Sequence, residues 1–403
     1  MTINEWTEDR LTRAALASLL GYGANEVLGL AARLGPTVAW QLLRSSEEAI
    51  DTELQLPGLG RPPGTRGTAF RAWATSVNPD QVAAQTEADG FRFVIPGDDE
   101  WPGAVDDLGD CDIDGLGGRP VGLWVTGPGH LVRWCQDAVA MVGARSATRY
   151  GESIALNMAA ALSGEPGAVP WTIVSGGAFG IDAASHRGAL LAGGRTIAVF
   201  ANGLDQYYPP GNAALIKTIK EQGLAVSELP PGAHPTRHGF LARNRIIAAL
   251  SSGVVVVEAG LRSGARNTVS WASAMGRIVM AVPGPVTSAM SGTPHRLIRD
   301  GEATLVATAD DVRALLQPIG QSPELPFVGP ARPGDELCGD ESVVREALSA
   351  HRGMSVNEVV LASGVPIQRC LETLRRLSVR GFAVVDLQGR WRACRQFVEK
   401  SYI

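Results

Sequence analysis

The 403 residues carry 36 Lys and Arg against 41 Asp and Glu, a formal net charge of −5, with 45% hydrophobic and 19% charged residues. This balance excludes a disordered chain and supplies enough apolar material for two to four packed domains. No apolar run approaches the roughly 20 residues of a membrane span, the opening Asn4, Glu5, Glu8, Asp9 is unlike a secretory signal, and five scattered cysteines with no Cys-x-x-Cys pair fit reduced thiols in a cytoplasm rather than a disulfide framework or a zinc site.

Residues 1–60 read as a helical domain of SAM or helix-hairpin-helix type. Leu11, Ala15, Leu19 and Leu20, then Val27, Leu28, Leu30 and Leu34, recur at helical spacing, with Gly21, Gly23 and Gly35 as breaks. A Gly/Pro-rich stretch at 57–67 marks a boundary. A helix near 68–86, a strand near 91–95 and an acidic, Gly-rich loop at 96–118 follow.

From 137 the pattern changes. Apolar β-type runs recur at 139–144, 171–175, 196–201, 224–227, 254–258, 278–282 and 303–307. Helix-like segments lie between them, near 150–163, 181–192, 211–222, 243–251, 265–276 and 293–299. The runs are continuous rather than alternating, as in strands covered on both faces. The alternation predicts an α/β domain over 68–316 with a doubly wound parallel sheet. Five prolines between 318 and 333 make 317–335 an extended linker. Residues 336–403 then read as helix (342–350), helix (355–362), a Gly364 turn, helix (366–379) and a hairpin turning at Gly389, the pattern of a winged helix.

Charge is unevenly spread. Residues 1–136 carry a net −9, residues 234–300 a net +6 and residues 342–395 a net +5. A local positive field suits a polyanion better than the overall sum suggests. Uneven surface charge without a partner is the plainer alternative.

Four segments carry chemistry. The run at 139–144 leads into Gly143, Ala144 and Arg145, at the strand end where open α/β sheets bind ligands; Arg145 there is either an anion fork or the partner of a loop acid. VSGGAFGID at 174–182 places Gly176, Gly177 and Gly180 between a strand and a helix with Asp182 in its first turn. Such a turn admits a phosphate to backbone N–H groups or simply makes a tight crossover. It matches neither Gly-x-Gly-x-x-Gly nor a P-loop. GFLARNRIIAALS at 239–251 sets Phe240 before Arg243, Asn244 and Arg245. The ring offers a base-stacking platform and the arginines phosphate contacts, against a core Phe and a solvated basic helix start. The loop after VVVVE (254–258) brings Arg262, Ser263, Gly264, Arg266, Asn267 and Thr268, and VPG (282–284) follows the next strand. Repetition of Gly, Ser/Thr and Arg at successive strand ends suggests a phosphate-reading rim.

Taken together, VGAR (142–145), SGGAFGIDAASHRGAL (175–190), GLDQYYPPGN (203–212), SELPPG (227–232), RNRIIAALS (243–251), VVVEAGLRSGARNT (255–268) and VPG (282–284) resemble the DNA-processing protein A (DprA, or Smf) family over roughly 90–315. The resemblance implies a Rossmann-like domain that binds single-stranded DNA, a partnership with the recombinase RecA in natural transformation, and a homodimer formed through that domain. It implies no catalytic residue, metal or cofactor. By motif it assigns DNA contacts to Arg145, Ser175, Gly176, Gly177, Phe240, Arg243, Asn244, Arg245, Ser263, Gly264 and Thr268. Phe179 stands where the family usually has Arg, and His295 near a usual Asn.

Three rivals remain at this stage. A nucleotide phosphoribohydrolase would need a reacting carboxylate, but the 260–268 loop has no acid before Glu302, Glu258 lies inside the strand run, and Asp182, His186 and Asp205 form no recognisable set. A transcription regulator would use Gln368, Arg369, Arg375, Arg376 and Arg380 in a duplex groove. A nucleotide sensor would bind a free mononucleotide.

Overall fold

The computed structural model describes residues 5–54, 66–113, 118–164, 170–317 and 336–394; residues 318–335 of the expected linker lie outside them. By its contacts the chain divides into two compact units, residues 1–322 and 323–403.

In the first unit, nine strands form one sheet: β1 (Arg92–Val94), β2 (Leu123–Thr126), β3 (Ala138–Val142), β4 (Thr172–Ser175), β5 (Thr196–Phe200), β6 (Leu224–Ser227), β7 (Gly253–Val256), β8 (Ile278–Ala281) and β9 (Thr304–Leu305). Their order is β1-β2-β6-β5-β4-β3-β7-β8-β9. β3 to β9 pair in parallel, each crossover passing over a face of the sheet. β1 and β2 are antiparallel additions at one edge, with Trp124 opposite Ser227 of β6. The sheet is therefore mixed, not wholly parallel as expected. Among the described residues, 95–122 hold only the 3-10 helix Gly103–Asp110, so no α-helical crossover turns β2 parallel to β1.

Both faces are covered, as the unbroken apolar runs require. Ala138, Ala140 and Val142 face one side with Val254 and Val256, under the helices Arg237–Ala249 and Ala265–Ala274. Val139, Met141 and Ile173 face the other, under Arg149–Gly164 and Ile181–Leu191. On that same side, toward the β1 edge, Ala198, Phe200 and Trp124 share a buried cluster with Leu16, Leu19, Leu30 and Leu43 of the N-terminal helices. Those helices, expected as a domain of their own, fall within the first unit.

Two helix boundaries differ from expectation for local reasons. The helix expected near 68–86 is two, Arg66–Ser76 and Pro79–Ala88; Asn78 caps the second by accepting from Asp80 N and Gln81 N. The helix expected from 243 starts at Arg237, where Thr236 accepts from Gly239 N. Arg243 and Arg245 thus lie mid-helix, not at a helix start opposed to the dipole.

The second unit holds helices Asp340–Ala347, Val356–Ser363 and Ile367–Val379, then a hairpin of β10 (Ala383–Val385) and β11 (Trp391–Ala393). Ser355 and Glu358 cap the middle helix reciprocally. Val344, Val359, Cys370, Leu374 and Leu377 close its core.

Candidate nucleic-acid interface

The chain leaves β3 in one direction toward β4 and returns to β7 on the other side, so the order reverses between β3 and β7. Ligands of open α/β sheets bind outside such a reversal, at the strands' carboxyl ends. A cavity of about 400 Å³ lies there. The exit of β3 contributes Gly143, Ala144 and Arg145, and the exit of β7 contributes Arg262, Ser263 and Gly264. Phe240, Asn244 and Thr268 complete the wall with Ala178 and Asp182 of the turn after β4. Of the eleven residues that the motifs single out, six meet here: Arg145, Phe240, Asn244, Ser263, Gly264 and Thr268.

Four of the other five hold the site from beneath. Ser175 is fully buried and donates from Oγ to the Met141 carbonyl at 2.6 Å, stitching β4 to β3. Arg243 is only 6% exposed and donates from Nη1 to the carbonyls of Gly176, at 2.7 Å, and Val199. It ties the turn after β4 to the end of β5, and a side chain at Gly176 would collide with its guanidinium. Gly177 has φ +66° and its carbonyl accepts from Asn212 Nδ2 at 3.0 Å. Arg245 points away altogether: it is 1% exposed and its Nη2 donates to both carboxylate oxygens of Glu228, at 2.6 and 2.8 Å.

The turn after β4 is packed directly on the exit of β3. Gly180 has φ +72°, and a Cβ there would lie 2.7 Å from the Arg145 carbonyl oxygen, so only glycine fits. Asp182 begins the helix behind it and accepts from Ala178 N at 3.4 Å. Burial raises its carboxyl above the ordinary value, while Arg243 pulls the other way. Burial pushes the Arg243 guanidinium down to about 10, with Asp182 again opposing. The acid in the cavity wall and the buried cation behind it thus each favour the other's charged form against the cost of burial.

Among the described residues, cations without an acid partner are fewer than the net +6 of 234–300 suggests. Arg245 pairs with Glu228, Arg266 with Glu302, Arg277 with Asp107, and Arg296 and Arg299 with Asp300. Arg145 and Arg262 are exposed on the cavity, and among the described residues neither has an acid partner. The Arg145 guanidinium lies 4.7 Å from the Phe240 ring centroid, within cation–π range. Arg262 is the contributor that motif reading left out of the site; its signal was the same Arg-Ser-Gly run that named Ser263 and Gly264.

The candidate acid/base groups of a hydrolase are all structurally engaged. Glu258 is 1% exposed and accepts from Thr148 N at 2.8 Å and Thr148 Oγ1 at 2.7 Å, beside the N-terminus of the helix Arg149–Gly164. His186 is fully buried, with Nδ1 2.7 Å from Thr196 Oγ1, and burial lowers it to about 3. Asp205 accepts from Gly232 N at 2.9 Å. Among the described residues no three His, Cys, Asp or Glu side chains are grouped to hold a metal ion, and no helix is long and apolar enough to cross a membrane.

The family model described as DNA recombination-mediator protein A matches residues 92–317, more than half of the chain. A DNA processing protein DprA of Mycobacterium tuberculosis is 45% identical over 316 residues, covering 76% of this chain and 78% of that protein. The DNA processing protein DprA of Streptococcus pneumoniae is 40% identical over 210 residues, covering 52% of this chain and 72% of its own length. The X-ray structure of DNA processing protein A from Streptococcus pneumoniae superposes with a TM-score of 0.59 at 28% identity, over 78% of this chain and 99% of that one. The group is one of recombination mediators, not of enzymes. The matched segment contains the whole Gly, Ser and Arg rim at the β3–β7 reversal, and the chain belongs to the DNA recombination-mediator protein A family.

Proposed function

We propose that this protein binds single-stranded DNA along the β3–β7 rim, protects incoming DNA and helps load the recombinase RecA during natural transformation and homologous recombination. On this reading it acts in the cytoplasm as a homodimer joined through the central unit. The observation that carries the DNA part is the pair Arg145 and Arg262, two exposed guanidiniums with no acid partner among the described residues, on a cavity lined by glycine and hydroxyls. Each guanidinium can fork onto a phosphate, and a phosphate backbone is recognised this way without regard to sequence. The RecA, transformation and dimer parts rest on the family likeness.

The rival reading, a regulator that reads duplex DNA through the second unit, is disfavoured by that unit's own charges. Arg369 pairs with Asp340 at 2.5 Å, Arg376 with Glu341 at 3.6 Å, and Arg380 with Glu341 at 2.6 Å and Glu336 at 3.3 Å. Acids thus match most of the cations that a groove-reading helix would offer. The test is a mobility shift with single- and double-stranded oligonucleotides over a salt series. Single strands should be preferred without sequence bias, with a log–log slope of at least about −1.4, or about −0.7 for each of the two arginines. Preference for one duplex sequence would overturn the reading.

A further inference from the structure

A base stacks only where a ring offers an uncovered face. Phe240, the ring that the motifs single out for stacking, does not have one to spare. The Arg145 guanidinium lies 4.7 Å from its centroid, and Tyr208 packs on it at 5.7 Å with a 42° tilt. Tyr150 is turned to donate its hydroxyl to the Pro283 carbonyl at 2.7 Å.

Phe179 differs. It is 47% exposed, and among the described residues no ring or cation lies on it. Its edge rests on Gly211, where a Cβ would come 2.9 Å from ring atoms Cε1 and Cζ. The ring is thereby steadied from one side and open on the other. A lone exposed ring is ordinary on a protein surface; what sets this one apart is its place. Ala178 before it lines the cavity, and Gly180 after it abuts the Arg145 carbonyl. The chain therefore carries a half-exposed ring on the turn that packs against the backbone of the β3 exit.

We infer that Phe179 is the base platform of this site. An unpaired nucleobase, purine or pyrimidine, stacks on its outward face while Arg145 holds the neighbouring phosphate. Phe240 is a positioning residue, which keeps the Arg145 guanidinium over its ring. The inference rests on the single-stranded DNA reading above.

The test compares the full-length protein with its Phe179→Ala, Phe179→Trp and Arg145→Ala variants on a thymidine homopolymer and on an abasic strand of the same length. Phe179→Ala should bind the homopolymer about 5- to 150-fold more weakly, which corresponds to the roughly 1–3 kcal/mol of one stacked base. Its salt slope should stay at the wild-type value, because no phosphate contact is lost. Phe179→Trp should restore affinity, and on the abasic strand wild type and Phe179→Ala should bind alike. Thermal melting should be the same for wild type and Phe179→Ala, since the ring is half in solvent. If Phe179→Ala binds the homopolymer like wild type while Arg145→Ala weakens, the platform is overturned and the DNA site stands. Equal losses for Phe179→Ala on both strands also overturn it. If the wild-type protein binds neither strand, the DNA reading fails and takes the platform with it.

Discussion

Replacing Arg245 with methionine strands the Glu228 carboxylate. Both oxygens of that carboxylate accept from Arg245 Nη2, and the two residues are 1% and 8% exposed. An uncompensated buried charge costs about 3–5 kcal/mol. With a urea slope of about 3 kcal/mol per M, the upper end for small proteins, the unfolding midpoint of the first unit should fall by about 1–1.7 M. The pair itself is imperfect, because Nε and Nη1 of Arg245 are buried without a hydrogen-bond partner. Removing both charges, in Arg245→Met with Glu228→Leu, should therefore recover most of the lost stability. Folded Arg245→Met protein should bind single strands with the wild-type salt slope, since this guanidinium never meets a phosphate. The reasoning is refuted if Arg245→Met unfolds at the wild-type midpoint while its salt slope falls by about 0.7, the signature of one lost phosphate contact.

Arg145→Ala should do the reverse: an unchanged urea midpoint, weaker binding to every single strand and a salt slope reduced by about 0.7, read by mobility shift over a salt series. Gly180→Ala should destabilise by about 1–3 kcal/mol in urea melts, because alanine at φ +72° is strained and its Cβ meets the Ala144 and Arg145 carbonyls. His186 has its folded pKa lowered to about 3 by burial. The unfolded chain then binds the extra proton below about 6.5, so stability is full above that pH and falls as pH drops from about 6.5 toward 3, by about 1.4 kcal/mol per pH unit. Urea midpoints at pH 7 and pH 5 should differ less in His186→Asn than in wild type; an equal difference would show that another group titrates.

The core strands were legible because burial on both faces leaves an unbroken apolar signature; the run at 139–144 became β3 at Ala138–Val142 and that at 224–227 became β6. β2 (Leu123–Thr126) escaped although it is no shorter than β6, because it is an antiparallel addition outside the strand–helix alternation that made the parallel strands readable. The site was legible as an inventory but not as an orientation. Arg243, Asn244 and Arg245 are consecutive on one helix, so their side chains fan out by about 100° each: one holds the turn, one faces the cavity, one meets Glu228. Sequence supplies the guanidiniums but not the identity of Glu228, seventeen positions away, as a partner.

The cluster that the N-terminal helices share with the sheet includes Phe200, and the same ring sits behind Gly177, where a Cβ would come 2.9 Å from it. Leu16, Leu19, Leu30 and Leu43 keep that region out of water. The amino-terminal segment thus works as a foundation: it braces the glycine turn from the rear without touching the cavity. A version of this chain clipped at residue 68 would uncover the side of Phe93, Trp124 and Phe200 that the helices now shield.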